Sequence, residues 1–140
     1  LRAWEDPARA AIGRYVQELD DILVVESSIF ARRSAYLDSG LSQEQSRSVS
    51  TALLADVRDL QVRLRGLTPG VSLTRLHDDA SEFLASLVKM LMLERDYLES
   101  SVESKRAEAS GIIPEIFGRV FRLQRDLSRL QFNYQLKPAG

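Results

Sequence analysis

Apolar residues recur at gaps of three and four along four stretches of the chain, with short polar breaks between them. The first stripe runs through Ile12, Tyr15, Val16, Leu19, Ile22, Leu23, Ile29, Phe30, Tyr36 and Leu37. The second carries Val49, Leu53, Val57, Leu60, Leu64 and Leu67. The third carries Leu73, Leu76, Ala80, Phe83, Leu84, Leu87, Met90, Leu91, Leu98 and Val102, and the fourth Ile113, Ile116, Phe117, Val120, Leu123, Leu127, Leu130 and Tyr134. This spacing lays each set along one face of an amphipathic helix. No segment alternates with the period of two that a half-buried strand requires.

The breaks have helix-end chemistry. Asp6-Pro7 supplies an N-cap carboxylate and a proline at the first helical position. Asp38-Ser39-Gly40 ends the first helix, with Gly40 suited to a left-handed C-terminal position. Ser42 with Gln45 reads as a capping box. Thr68-Pro69-Gly70 breaks the middle of the chain and Ser72 can cap the third helix. Ser110-Gly111 reads as the third stop, and Pro114 then falls in the first turn of the last helix. The predicted helices span roughly 7–38, 42–66, 72–109 and 112–136, and Lys137-Pro138-Ala139-Gly140 is a tail. Short connections force successive helices antiparallel. The expected fold is therefore a single all-α domain over 1–140, an antiparallel up-down-up-down four-helix bundle.

Shifting the chain by 68 residues lays the first helix on the third, with Glu26 meeting Glu94. Hairpin duplication explains this, and so does the ease of sliding two amphipathic helices into phase.

Composition narrows function mostly by exclusion. Hydrophobic residues make up 44% and charged residues 28% of 140, an ordinary globular mix. The formal net charge of −1 gives no electrostatic case for nucleic acid or an anionic membrane. Arginine predominates over lysine, 16 to 3, as in GC-rich genomes. The absence of cysteine excludes a disulfide frame, thiolate catalysis and sulfur-bound zinc. The longest apolar runs, Ile22-Leu23-Val24-Val25 and Met90-Leu91-Met92-Leu93, are far too short to span a bilayer. The chain opens on Leu1, which reads as a removed leader or an excised domain. No nucleophile elbow or phosphate-cradling glycine loop occurs. No enzymatic activity and no cofactor are expected.

Two glutamates stand out. Glu26 and Glu94 each follow four apolar residues and continue a buried stripe. In parallel, diagonal helices they would sit near one level inside the bundle. A buried carboxylate must be paired, hydrogen-bonded or protonated. Arg33 on the same stripe, and Arg122 or Arg125 from the last helix, are the candidate cations. Three readings compete: ion pairs that fix helix register, a polar pocket for a small anionic ligand, and an oxygen-only metal site. Di-iron bundles need Glu-x-x-His, whereas Ile29 and Tyr97 stand three residues after these glutamates, so no metal ligand is assigned. His77, the lone histidine, reads as a partly exposed residue near a helix start, beside aspartates favoured there by the dipole. Arg119, Arg122, Arg125 and Arg129 form a basic ridge that either pairs with neighbouring acids or meets an anionic partner.

Four consecutive apolar residues wrap around a helix, so some of each run cannot face one core. Phe121 and Phe132 also fall off the main stripe. Such surplus apolar surface marks Met90, Met92, Phe121 and Phe132 as candidates for a homodimer or protein-partner interface.

The stretch Leu64-Arg65-Gly66-Leu67-Thr68-Pro69-Gly70-Val71-Ser72-Leu73-Thr74-Arg75-Leu76-His77 resembles the inter-helix turn of small exported helical proteins and lipoproteins of GC-rich bacteria. There a Leu-x-Pro-Pro turn leads into a helix with an early histidine; here Pro69-Gly70 replaces the two prolines. The architecture is also similar to periplasmic four-helix domains of bacterial sensors. These resemblances imply an extracytoplasmic location, periplasmic or cell-surface. The expected function is a non-catalytic binding module of the cell envelope. The alternatives are a sensor's ligand-binding domain and a carboxylate metal bundle.

Overall fold

Pro7 opens the first helix of the computed structural model, which describes residues 7–136. Asp6 and the tail from Lys137 lie outside the described residues. Four α-helices are arranged in order: α1 (Pro7–Leu37), α2 (Gln43–Arg65), α3 (Thr74–Ser100) and α4 (Glu103–Tyr134), with a 3-10 turn at Val71–Leu73 before α3. Among the described residues none is in a strand. Each helix packs on the next and α4 closes the ring against α1, so α1 and α3 lie on one diagonal and α2 and α4 on the other. This is the expected all-α four-helix bundle. The α3–α4 seam is the most intimate and the α1–α4 seam the most open.

Local chemistry explains the ends. The Gln45 N–H donates to Ser42 Oγ at 3.2 Å and the Ser42 N–H to Gln45 Oε1 at 3.1 Å, completing the capping box. Gly40 and Gly70 take φ of 68° and 73°, left-handed values that a side chain disfavours. Ser72, expected as a cap, lies within the 3-10 turn, and α3 begins without a side-chain cap.

The α3–α4 boundary corrects the expected one. Helix α3 stops at Ser100, not 109, and Ser101 adopts a left-handed φ of 57° while its N–H bonds to Tyr97 O at 2.7 Å. Past Leu98 the expected α3 stripe continues only to Val102, beyond Glu99, Ser100 and Ser101, and Val102 is 46% exposed at the start of α4 rather than buried from α3. Ala109 and Ile112, by contrast, are buried from α4. That burial carries the helix through Ser110-Gly111, and Pro114 consequently sits in its interior. An interior proline costs about 3 kcal/mol or more. The Ser110 carbonyl it leaves unbonded belongs to an exposed residue that water can reach.

The core runs the length of the bundle, with Leu19, Ile22, Val57, Phe83, Met90, Ile116 and Leu123 essentially sealed from solvent. Each contributes about 1.5–3 kcal/mol by burial. Of the run 22–25, Ile22 and Leu23 are buried while Val24 and Val25 face outward, as wrapping requires. Exposed ion pairs bridge the seams: Arg32–Asp56 at 2.6 Å and Arg63–Glu18 at 3.1 Å from α1 to α2, and Arg119–Glu82 at 2.8 Å from α4 to α3. Such pairs contribute ~0–1 kcal/mol each. No helix among the described residues is long and apolar enough to cross a membrane.

Candidate binding site

The ends of α1 and α3 and the starts of α2 and α4 meet at one end of the bundle. The early stop of α3 decides which charged groups share a level there. Glu94 lies six residues from its helix end and Glu26 eleven from its own. The two carboxylates therefore do not share the level expected from the sequence; Glu94 faces Arg33 instead. Arg33 Nε donates to Glu94 Oε1 at 2.8 Å and Oε2 at 3.1 Å, and Nη2 approaches Oε1 at 2.7 Å. Both side chains are nearly buried. The guanidinium also stacks 5.2 Å from the Phe30 ring centroid. Nη1 has no hydrogen-bond partner among the described residues, leaving two N–H donors unspent.

This pair forms part of the wall of a cleft of about 550 Å³, lined by Arg33, Tyr36, Leu37, Asp38, Gly40 and Leu41 from α1 and its loop, Ser46 from α2, Glu94, Tyr97 and Leu98 from α3, and Arg106, Ala109 and Ser110 from α4. Arg106 stands 5.7 Å from the Tyr97 ring centroid and makes only a long, exposed contact of 3.9 Å with Glu103. Its charge is therefore available to a ligand. The Tyr36 phenol is raised above its ordinary range, first by burial and then by the Glu94 charge, with Arg33 and Ser50 opposing. It keeps its proton at neutral pH and can donate. The buried Ser50 hydroxyl has no hydrogen bond of acceptable geometry.

Glu26 lies deeper and alone. It is 5% exposed and faces a void of about 10 Å³ among Ile29, Phe30, Arg33, Val57, Leu87, Met90 and Leu91. That volume is at the lower limit for one water. Its carboxyl has no hydrogen bond or ion pair among the described residues. Burial pushes it up to about 7.

The opposite end holds a second cleft of about 550 Å³, between the start of α1 and the 66–72 connection, with Tyr15 and Arg14 on its wall. Tyr15 Oη and His77 Nδ1 are 2.9 Å apart across the α1–α3 diagonal. Burial, and then the Asp78 charge, raise the Tyr15 phenol. With a neutral imidazole, the phenol donates to Nδ1 and the ring proton sits on Nε2. His77 is half-buried in the first turn of α3, near the helix start as expected, and is also tied to α1 through Tyr15.

Several expected roles are corrected. Arg122 and Arg125 are exposed on the outer side of α4 and do not join Glu26 and Glu94. Arg125 contacts its neighbour Asp126 at 3.3 Å. Met90 is sealed in the core, so it cannot serve an interface, and Met92 is half-buried with Arg58 Nη2 3.8 Å from its sulfur. Phe121 and Phe132 are exposed, as an interface requires. No group of three histidine or acidic side chains among the described residues could hold a metal, and Arg33 already occupies Glu94. Sequence reasoning missed Tyr36, Tyr97, Arg106 and Ser110. Tyr36 and Tyr97 were findable, each three residues beyond Arg33 and Glu94 on the same stripes. Arg106 and Ser110 were hidden by the misplaced boundary.

No protein-family model matches the chain, and no curated protein or solved structure is detectably similar to it.

Proposed function

We propose that the protein is a non-catalytic binding module that holds a small organic anion in the cleft above the Arg33–Glu94 pair. The observation that carries this reading is the pairing of that nearly buried ion pair with an under-used Arg106 across a cleft of about 550 Å³. The volume lies within the range of small-molecule sites. Arg106 and the unspent Nη1 of Arg33 supply donors for an anionic group. Tyr36 supplies a hydroxyl, and Leu37, Leu41 and Leu98 an apolar flank. Glu94 holds Arg33 in place without spending all of its donors, and rejects a ligand that puts negative charge on its side. The bundle-end position needs no lid: the ligand enters from solvent. The likeness of the 64–77 turn to exported helical proteins supports placing this module in the bacterial cell envelope.

The experiment is a thermal-shift screen of small mono- and dicarboxylates and inorganic phosphate, followed by titration calorimetry. At least one anion is expected to raise the melting temperature, as selective binding to the folded state must. Arg106→Ala should remove the shift, while Arg14→Ala at the opposite cleft should leave it. No shift from any anion up to about 10 mM, or loss of binding on Arg14→Ala alone, refutes the assignment.

A further inference from the structure

We infer that the open α1–α4 seam is a docking groove for an amphipathic helix of about four turns with one acidic flank. Phe117, Phe121 and Phe132 lie on one side of α4 and are 53%, 69% and 84% exposed. They recur at four and eleven residues, a helical stripe about 22 Å long at 1.5 Å per residue. At those exposures, three phenyl rings leave about 400 Å² of apolar surface to solvent. That is about half of what one partner buries in a standard interface, so a single helix laid along the row could complete it.

The surface is concave. Between the levels of Phe121 and Phe132 the seam opens into a cleft of about 190 Å³, floored by the buried Leu23 and Leu127 and rimmed by Val24 and by the polar Ser27, Gln124 and Gln131. Small exposed residues, Ser27, Ser28 and Ala31, keep the α1 rim low. At the upper end the Phe117 ring is braced edge-on against Phe30, 5.6 Å between centroids, so it is pre-positioned. A groove of this form accepts the apolar face of a helix, with one aliphatic side chain entering the cleft.

Charge selects the occupant. Arg122, Arg125 and Arg129 form the stripe next to the phenyl row, on the side away from α1. Arg122 and Arg129 have no ion pair among the described residues, and Arg125 has only its own neighbour Asp126. Arg119, one stripe further round, is already clamped by Glu82 and Glu115. The α1 rim carries instead Asp20, bonded by Gln131 at 3.1 Å. One rim is therefore basic and the other is not, which favours a helix with acids along a single flank. A second copy of this chain packed antiparallel fits poorly. A two-fold that runs the two α4 helices antiparallel brings both arginine stripes to the same side. An anionic membrane would match the arginines and phenyl rings but not the concave cleft.

The test uses a fluorescein-labelled 16-residue helical peptide with leucines at three- and four-residue spacing and glutamates on one flank. Controls are a lysine-flanked twin and vesicles of equal phosphatidylglycerol and phosphatidylcholine. Anisotropy should show binding of the acidic peptide that weakens as salt rises. Phe121→Ala and Arg122→Glu/Arg129→Glu should each weaken it about tenfold or more, and both leave the core untouched. The lysine peptide should not bind. The inference is overturned by no binding of the acidic peptide up to about 0.1 mM, by equal binding of both peptides, or by indifference to Phe121→Ala. Vesicle binding without peptide binding assigns the row to a membrane. A dimer by light scattering that Phe121→Ala dissolves assigns it to a second copy. Either result also overturns the inference.

Discussion

Replacing Glu26 with glutamine should flatten part of the bundle's stability-versus-pH curve. The buried Glu26 carboxyl is pushed from its ordinary 4.5 up to about 7, with burial as the cause. In the unfolded chain it gives up its proton near 4.5; in the bundle it holds it until near 7. Between those values the folded state binds more protons than the unfolded state. Stability must therefore fall as pH rises through that window, the reverse of a carboxylate in an ion pair. A change of that size corresponds to about 3 kcal/mol, fully expressed above pH 7 and absent below pH 4.5. Domains of this size have total stabilities of about 5–15 kcal/mol, so a loss of that order is readily measured.

Urea unfolding followed by far-UV circular dichroism at pH 4 and pH 8, with wild type and Glu26→Gln compared, isolates this group. Every other titrating side chain is common to the two proteins. Wild type should lose about 3 kcal/mol more than the variant between the two pH values. Glu26→Met, which removes the charge and fills similar space, should raise the urea midpoint at pH 8. Parallel curves for wild type and Glu26→Gln would mean that the carboxyl is solvated or paired in solution, and the reasoning from burial would fail.

Three further outcomes rest on the geometry. Glu94→Gln should cost about 3–5 kcal/mol by leaving the Arg33 charge buried without its partner, while Arg33→Met/Glu94→Met should recover most of it; denaturant midpoints of the single and double variants check this. Gly118→Ala should stabilise α4 by about 0.5–1 kcal/mol, because the added methyl meets nothing within 4 Å and interior helical glycine is disfavoured; thermal melting reads the gain. Tyr15→Phe should cost about 1 kcal/mol through the lost bond to His77, and the His77 ring resonances in NMR should shift in the same variant.

Most of the architecture was legible because one period dominates the chain. Ile22, Leu23, Ile29 and Phe83, Leu84, Leu87 sit where a spacing of 3.6 residues places them, and no competing period exists. Capping at Ser42–Gln45 was equally local, since both partners lie in one turn. The third break was not legible, because a left-handed serine is rare while Ser110-Gly111 is a common stop. Ser101 takes that conformation where the stripe runs out of buried residues, with Val102 beyond it exposed, and Ala109 anchors α4 through its glycine. The outcome depended on tertiary burial, which no window of sequence displays.

That single displaced boundary decided the site. Whether Glu94 meets Glu26 or Arg33 is a question of axial register, and register across a diagonal depends on loop length and helix ends rather than on periodicity. Two contacts now define it: Tyr15 with His77, 62 positions apart, and Arg33 with Glu94, 61 apart. Near-equal separations at both ends mean that α1 and α3 run parallel in one constant register. A repeat of 68 residues would demand a different one. Positions matched by the repeat, Glu26 and Glu94 among them, are offset by about 10 Å along the bundle. The two glutamates look equivalent in sequence, yet they take opposite fates. Glu94 lies high enough to reach a cation and the cleft, and Glu26 lies low enough to be sealed among leucines and a methionine with its proton held by burial.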